Sequence, residues 1–186
     1  MSLARTAFFQ AYKIALPTLF GMAAWGLVVG VAMIKVGLSI PLALGMTLLV
    51  YAGSAQLAAL PLIAAQVPAL VIFATALVVN LRFVIFSAIL APHFAYLGWA
   101  KRALLGFFSG DITVVLFIQK YPDPAYQAEK LPFLSGLLIP SWFAWQIGSV
   151  IGIFLGSQIP PSWGLGFAGT LAILCICLPL MQNRAA

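Results

Sequence analysis

The sequence predicts an all-α, polytopic membrane protein, and three observations carry the prediction. Of its 186 residues, 64% are hydrophobic and 6% charged, whereas soluble domains carry about 25% charged residues. Apolar runs recur along the whole chain, each near or above the ~20 residues a helix needs to cross hydrocarbon. The runs are continuously apolar and not alternating, which excludes the strand pattern of a membrane barrel and leaves helices to satisfy the backbone inside lipid.

The runs cover 14–34, 39–65, 68–92, 98–119, 131–156 and 163–181. About six segments therefore fill a single transmembrane domain, 1–186. The first run follows Arg5 and Lys13, is uninterrupted and leads into further spans, so it reads as a retained helix and not a cleaved signal. Nine Lys/Arg against three Asp/Glu give a net charge of +6. The basic residues sit mostly at segment ends, where they anchor the chain to the bilayer, and nucleic acid is not an expected partner.

Charge does not settle orientation. With six crossings and a cytoplasmic N-terminus, Arg5, Lys13, Lys120, Lys130 and Arg184 fall inside and Lys35, Lys101 and Arg102 outside. If 39–65 enters and returns, the two sides balance. His93 follows Pro92 at a segment end and reads as interfacial, while Trp142, Trp145 and Trp163 serve either an aromatic belt or packing. Cys175 and Cys177 lie in an apolar run without zinc-site spacing, so they read as packing residues, and neither metal nor cofactor is expected.

An internal repeat is expected over 17–62 and 132–180. Pro17-x-x-x-Gly21 matches Pro132-x-x-x-Gly136, and Gly37-Leu-Ser-Ile-Pro41 matches Gly156-Ser-Gln-Ile-Pro160. Tyr51-Ala-Gly-Ser then matches Phe167-Ala-Gly-Thr, and each copy reaches Leu-Pro-Leu, at 60–62 and 178–180. A half-length second segment would make the copies inverted, the commoner transporter design. The segment 68–92 has no counterpart after the second copy, so the C-terminus is expected to be short.

Polar residues inside such runs are costly. Arg82 stands 14 residues after Pro68 and 10 before Pro92, deep in a span, where a charge costs about 2.5–3.5 kcal/mol on insertion scales. Asp111 is expected at nearly the same depth in the next run, close enough to pair with Arg82. That pair serves either a polar substrate or the bracing of two helices. Asn80 points away from Arg82 on a regular helix, and the two share a site only if the helix opens locally.

In Tyr51-Ala52-Gly53-Ser54-Ala55-Gln56, a glycine lies beside hydroxyl and amide groups in mid-run. A break there frees backbone N–H groups at a new helix N-terminus, which attracts a carboxylate. Gly53 and Ser54 also suit close helix packing, and both uses stand. An amino acid needs N–H donors, oxygen acceptors and an apolar wall. Gly53, Ser54, Gln56, Asn80, Arg82 and Asp111 are therefore the candidate substrate-binding and translocation residues.

Pro17-x-x-x-Gly21, Tyr51-Ala-Gly-Ser-Ala-Gln56, Val79-Asn-Leu-Arg82 and Ser109-Gly-Asp111 resemble the AzlC family, the large permease subunits of branched-chain amino acid exporters. The resemblance implies an ion- or proton-coupled exporter of branched-chain and similar hydrophobic amino acids, in the bacterial inner membrane. It also implies a small AzlD-type membrane subunit as partner; self-association is left open. The sequence departs from the family pattern at Phe83, often His, at Ile112, commonly Glu, and at Gly166, usually acidic. Two other readings are an intramembrane hydrolase with Ser109 as nucleophile, which lacks a base at matching depth, and a noncatalytic assembly subunit.

Overall fold

The computed structural model describes residues 3–158. The expected sixth segment, Cys175 and Cys177, Trp163, Gly166 and the second copy from Pro160 onward lie outside the described residues. Among those described, the chain is helical throughout: α1 (Leu3–Lys35), α2 (Ile40–Leu49), α3 (Gly53–Ala64), α4 (Ala69–Val79), α5 (Arg82–Leu90), a 3-10 turn (Ala91–Phe94), α6 (Trp99–Phe108), α7 (Asp111–Lys120) and α8 (Lys130–Gln158). It is an all-α polytopic membrane fold. Two of these helices, α1 and α8, are long and apolar enough to cross a bilayer, and up to four spans result if each of two broken pairs counts as one.

Local chemistry sets the boundaries. Lys35 ends α1 where a cation suits the helix dipole. Gly37 (φ 99°) then takes the left-handed conformation while the Leu38 N–H reaches back to the Met33 carbonyl, a closure that leaves few carbonyls unpaired. After α3, Gln66 (φ 53°) does the same job at greater steric cost, with the Val67 N–H on the Leu62 carbonyl. Pro68 follows and stops any continuation. Pro17, Pro61 and Pro140 lie inside helices, as spanning helices tolerate.

The chain divides into two compact units. The first comprises Met1–Met22 and Leu81–Trp145. Its core is built from the small stripe Ala7, Ala11 and Ala15 of α1, Val114 and Phe117 of α7, and Phe133, Leu134, Leu137 and Leu138 of α8. The alanines repeat every fourth residue, so one narrow face of α1 lets the larger side chains approach. Gly136 of α8 lies against the Phe8 carbonyl, where no Cβ would fit.

The second unit comprises Ala23–Asn80 and Gln146–Ala186. Here Gly148, Gly152 and Gly156, again four apart, press directly on the α1 backbone at Ala23, Leu27 and Val31 in turn, and Gly30 of α1 receives Ser149. Backbone-to-backbone packing of this kind replaces the hydrophobic drive that lipid removes. Because the contacts advance together along both helices, α1 and α8 run in the same direction here. Helix α3 packs on α4 within the same unit.

Three of the expected runs are broken, the second as expected and two others not. The break in 39–65 was legible: α2 ends at Leu49 and α3 opens at Gly53. The run 68–92 opens at Asn80–Leu81, between α4 and α5. The run 98–119 departs most from expectation, because α6 and α7 meet at 113° across Ser109 and Gly110. Both residues are extended there (ψ 131° and 168°), and Thr113 Oγ1 accepts the Gly110 N–H at 2.9 Å. A ten-residue helix covers only about 15 Å, so α6 alone cannot cross ~30 Å of hydrocarbon.

Candidate functional site

In the second unit the polar groups gather at the break between α2 and α3. The last carbonyls of a helix have no partner within it, and two side-chain amides supply donors to the last turn of α2. Gln56 Nε2 donates to the Met46 carbonyl at 3.3 Å and Gln146 Nε2 to the Thr47 carbonyl at 2.9 Å. Thr47 Oγ1 returns a bond to Gln146 Oε1 at 3.3 Å. Thr47 and Gln56 are fully buried. Gln56 Oε1 has no hydrogen-bond donor among the described residues, an oxygen left to accept. Gly53 and Ser54 form the first turn of α3.

Asn80 caps α4 at its C-terminal end, its N–H shared between the Ala76 and Leu77 carbonyls, and its Oδ1 is buried with no donor among the described residues. The helix does open between Asn80 and Arg82, the condition that separates their directions from those of a regular helix.

In the first unit, Arg82 and Asp111 pair as expected, Nη1 to Oδ2 at 2.8 Å. The route to the pair differs from the expectation of two intact spans, since each residue opens a helix after a break. Asp111 in the first turn of α7 is favoured by the helix dipole, whereas Arg82 in the first turn of α5 is opposed by it. Asp111 offsets that opposition, and the Phe83 ring beneath the guanidinium, 5.1 Å from its carbon, adds a further attraction. The side chains are 37% and 48% exposed, so both are accessible. At bilayer depth such charges must meet water or protein and not lipid.

Ser109 sits beside this pair, but its hydroxyl donates to the Leu105 carbonyl at 2.7 Å. His93 is also committed elsewhere. Among the described residues no group of three His, Cys, Asp or Glu is placed to hold a metal.

Lys130 was read only as a flanking charge, yet its side chain is fully buried. Its ammonium donates to the carbonyls of Asp123 and Ala125 and to His93 Nδ1 at 3.1 Å, with the Tyr121 ring 5.7 Å away. It thereby ties the α7–α8 loop to the 3-10 turn. His93 is correspondingly buried, not exposed at the rim.

Lys130→Met is expected to raise hydrogen exchange across 121–130 relative to wild type measured at the same pH, since the variant loses the bonds to Asp123, Ala125 and His93; a loop equally protected in the variant would show that Lys130 does not hold it.

Sequence reasoning missed Thr47, Gln146 and Lys130. Gln146 carried a usable signal, being an amide in mid-span that needs a partner there. Nothing in the sequence distinguished Lys130 from the other basic flanks.

Broken helices, an ion pair at helix openings and side-chain amides on last-turn carbonyls suit a polytopic membrane protein of the transporter type, since transporter sites are built from discontinuous helices of this kind. The family model described as "AzlC protein" matches residues 17–159, and the chain belongs to the AzlC family. A relative from Helicobacter pylori (strain ATCC 700392 / 26695), called "Uncharacterized membrane protein", is 28% identical over 155 residues, covering 81% of this chain and 67% of its own length. A second of the same description, from strain J99 / ATCC 700824, is 27% identical over the same coverage. No solved structure matches the chain.

Proposed function

We propose that this chain is the large permease subunit of a secondary transporter exporting branched-chain and similar hydrophobic amino acids. It works with a small AzlD-type subunit in the bacterial inner membrane and draws on an ion or proton gradient. The observation that carries the reading is the accessible Arg82–Asp111 pair. An amino acid zwitterion carries the same two charges, so it can replace the internal pair with two new ones, its carboxylate on Arg82 and its ammonium on Asp111, without net charge being stranded in a poor dielectric.

The second unit, by itself, carries polar groups of the same two kinds. The opening turn of α3 at Gly53 and Ser54 suits a carboxylate, and the undonated oxygens of Gln56 and Asn80 suit an ammonium. Surrounding Leu, Ile and Phe side chains favour apolar substrates over polar ones. Alternating access then delivers the substrate across.

The test is efflux of leucine, valine and methionine from preloaded cells, with this chain expressed with and without the adjacent small subunit. Efflux of all three is expected only when both are present. Rates equal to those of empty cells in both arms would overturn the reading.

A further inference from the structure

The ring of aromatic and basic groups around α6 has no part in the proposed transport step. Trp99 is 83% exposed and Tyr96 and Tyr126, both exposed, meet edge to face at 4.9 Å. Lys101 and Arg102 follow Trp99 after Ala100 and are exposed. Indole and phenol rings of this kind settle at headgroup level, as do basic side chains. From 91 to 110 there is no Asp or Glu, so this segment itself carries only basic charge, the acidic Asp123 and Glu129 belonging to the loop that holds Tyr126.

Behind these groups lies a groove of about 510 Å³ between α5 and α6. Arg102 and Trp99 line it together with Ser87, and the remainder is apolar, chiefly Leu90, Phe94 and Leu105. The outer flank of α6, including Leu104 and Phe107, is exposed. Because α6 is too short to span and turns through 113° into α7, its first turn, with Trp99, Lys101 and Arg102, suits headgroup level, while its far end leads toward Asp111.

We infer that the groove between α5 and α6 is a binding site for an anionic phospholipid, its phosphate held by Arg102 beside Trp99 and an acyl chain lying along Leu90, Phe94 and Leu105. Lys101 adds a second, outer charge. A guanidinium grips phosphate oxygens in paired bonds, and a trough of apolar side chains behind it accepts a chain that water would reject. A zwitterionic lipid would bring its own cation against Arg102, so selectivity for anionic headgroups follows from charge. This inference does not depend on the transport reading.

Gly106 makes a test available, since a Cβ added there would meet nothing within 4 Å while the residue lines the groove. Gly106→Leu therefore fills the trough and leaves the charge in place, and Arg102→Gln removes the charge and leaves the trough. The purified full chain is titrated in detergent with dioleoylphosphatidylglycerol or dioleoylphosphatidylcholine, and bound lipid is counted by native mass spectrometry. One phosphatidylglycerol is expected to be retained and no phosphatidylcholine. Each variant is expected to retain it roughly fivefold or more weakly, the worth of one basic contact at a membrane surface.

Arg5→Gln, at a basic residue that does not line the groove, serves as control and is expected to bind as wild type. Equal retention of both lipids, or undiminished binding in Gly106→Leu, would overturn the proposal, the latter showing diffuse attraction only. Displacement by millimolar glycerol phosphate would overturn it also, since a site for a soluble phosphate needs no acyl trough.

Discussion

Arg82→Ala is expected to lower leucine efflux by roughly 10- to 100-fold, the range set by losing one hydrogen bond to a charged group, while leaving the amount of inserted protein unchanged. Asp111→Asn is expected to do the same. The two side chains are too exposed for their ion pair to hold the fold together, and the packing of the first unit rests on Ala7, Phe117, Leu134 and their neighbours instead. Loss of transport without loss of protein is therefore the signature of groups that meet the substrate. The reciprocal exchange, Arg82→Asp with Asp111→Arg, separates substrate contact from bracing. It rebuilds an ion pair but presents its charges in reverse at two helix openings, so efflux is expected to stay low. Full recovery would show that only the pair's existence mattered, and efflux unaffected by either single change would remove Arg82 and Asp111 from the site.

The class of fold was legible because it rests on amount: the length of apolar runs and the scarcity of charge need no knowledge of partners. The break before Gly53 was legible for a local reason, glycine beside small polar groups in mid-run. The bend at Ser109–Gly110 carries similar residues, yet hydropathy averages across it, because averaged apolar character has no direction and a turned helix scores like a straight one. The Arg82–Asp111 pair was anticipated from depth and charge, and it formed although the geometry assumed for it, two intact antiparallel spans, did not. Thr47–Gln146 was not readable, since residues 99 positions apart meet only through tertiary packing. Lys130 shows the same limit: a basic residue at a span end has two physical fates, headgroup or buried loop anchor, and carbonyls supplied by the fold decide between them.

Gly148→Ala and Gly152→Ala are expected to be the most damaging small substitutions in the second unit. A Cβ at Gly148 would collide with the Ala23 carbonyl oxygen and lie 2.7 Å from its carbon, and one at Gly152 would collide with the Leu27 carbonyl oxygen and lie 2.9 Å from Leu27 Cα. What stands in the way is helix backbone, which cannot swing aside as a side chain can, so α8 and α1 must separate and forfeit contact along the whole stripe. Overpacking of this kind costs about 1–3 kcal/mol per site. Because neighbouring sites share one interface, a single separation relieves both collisions, and the double variant should cost less than the sum. Gly45→Ala in the same unit and Gly21→Ala in the first provide the contrast, since a Cβ at either meets nothing within 4 Å. Alanine is the better helix former there by up to about 1 kcal/mol. In detergent, melting temperatures should fall for the first two and hold or rise for the second two. A uniform response across all four glycines would mean that the α1–α8 contact is not where this unit draws its stability.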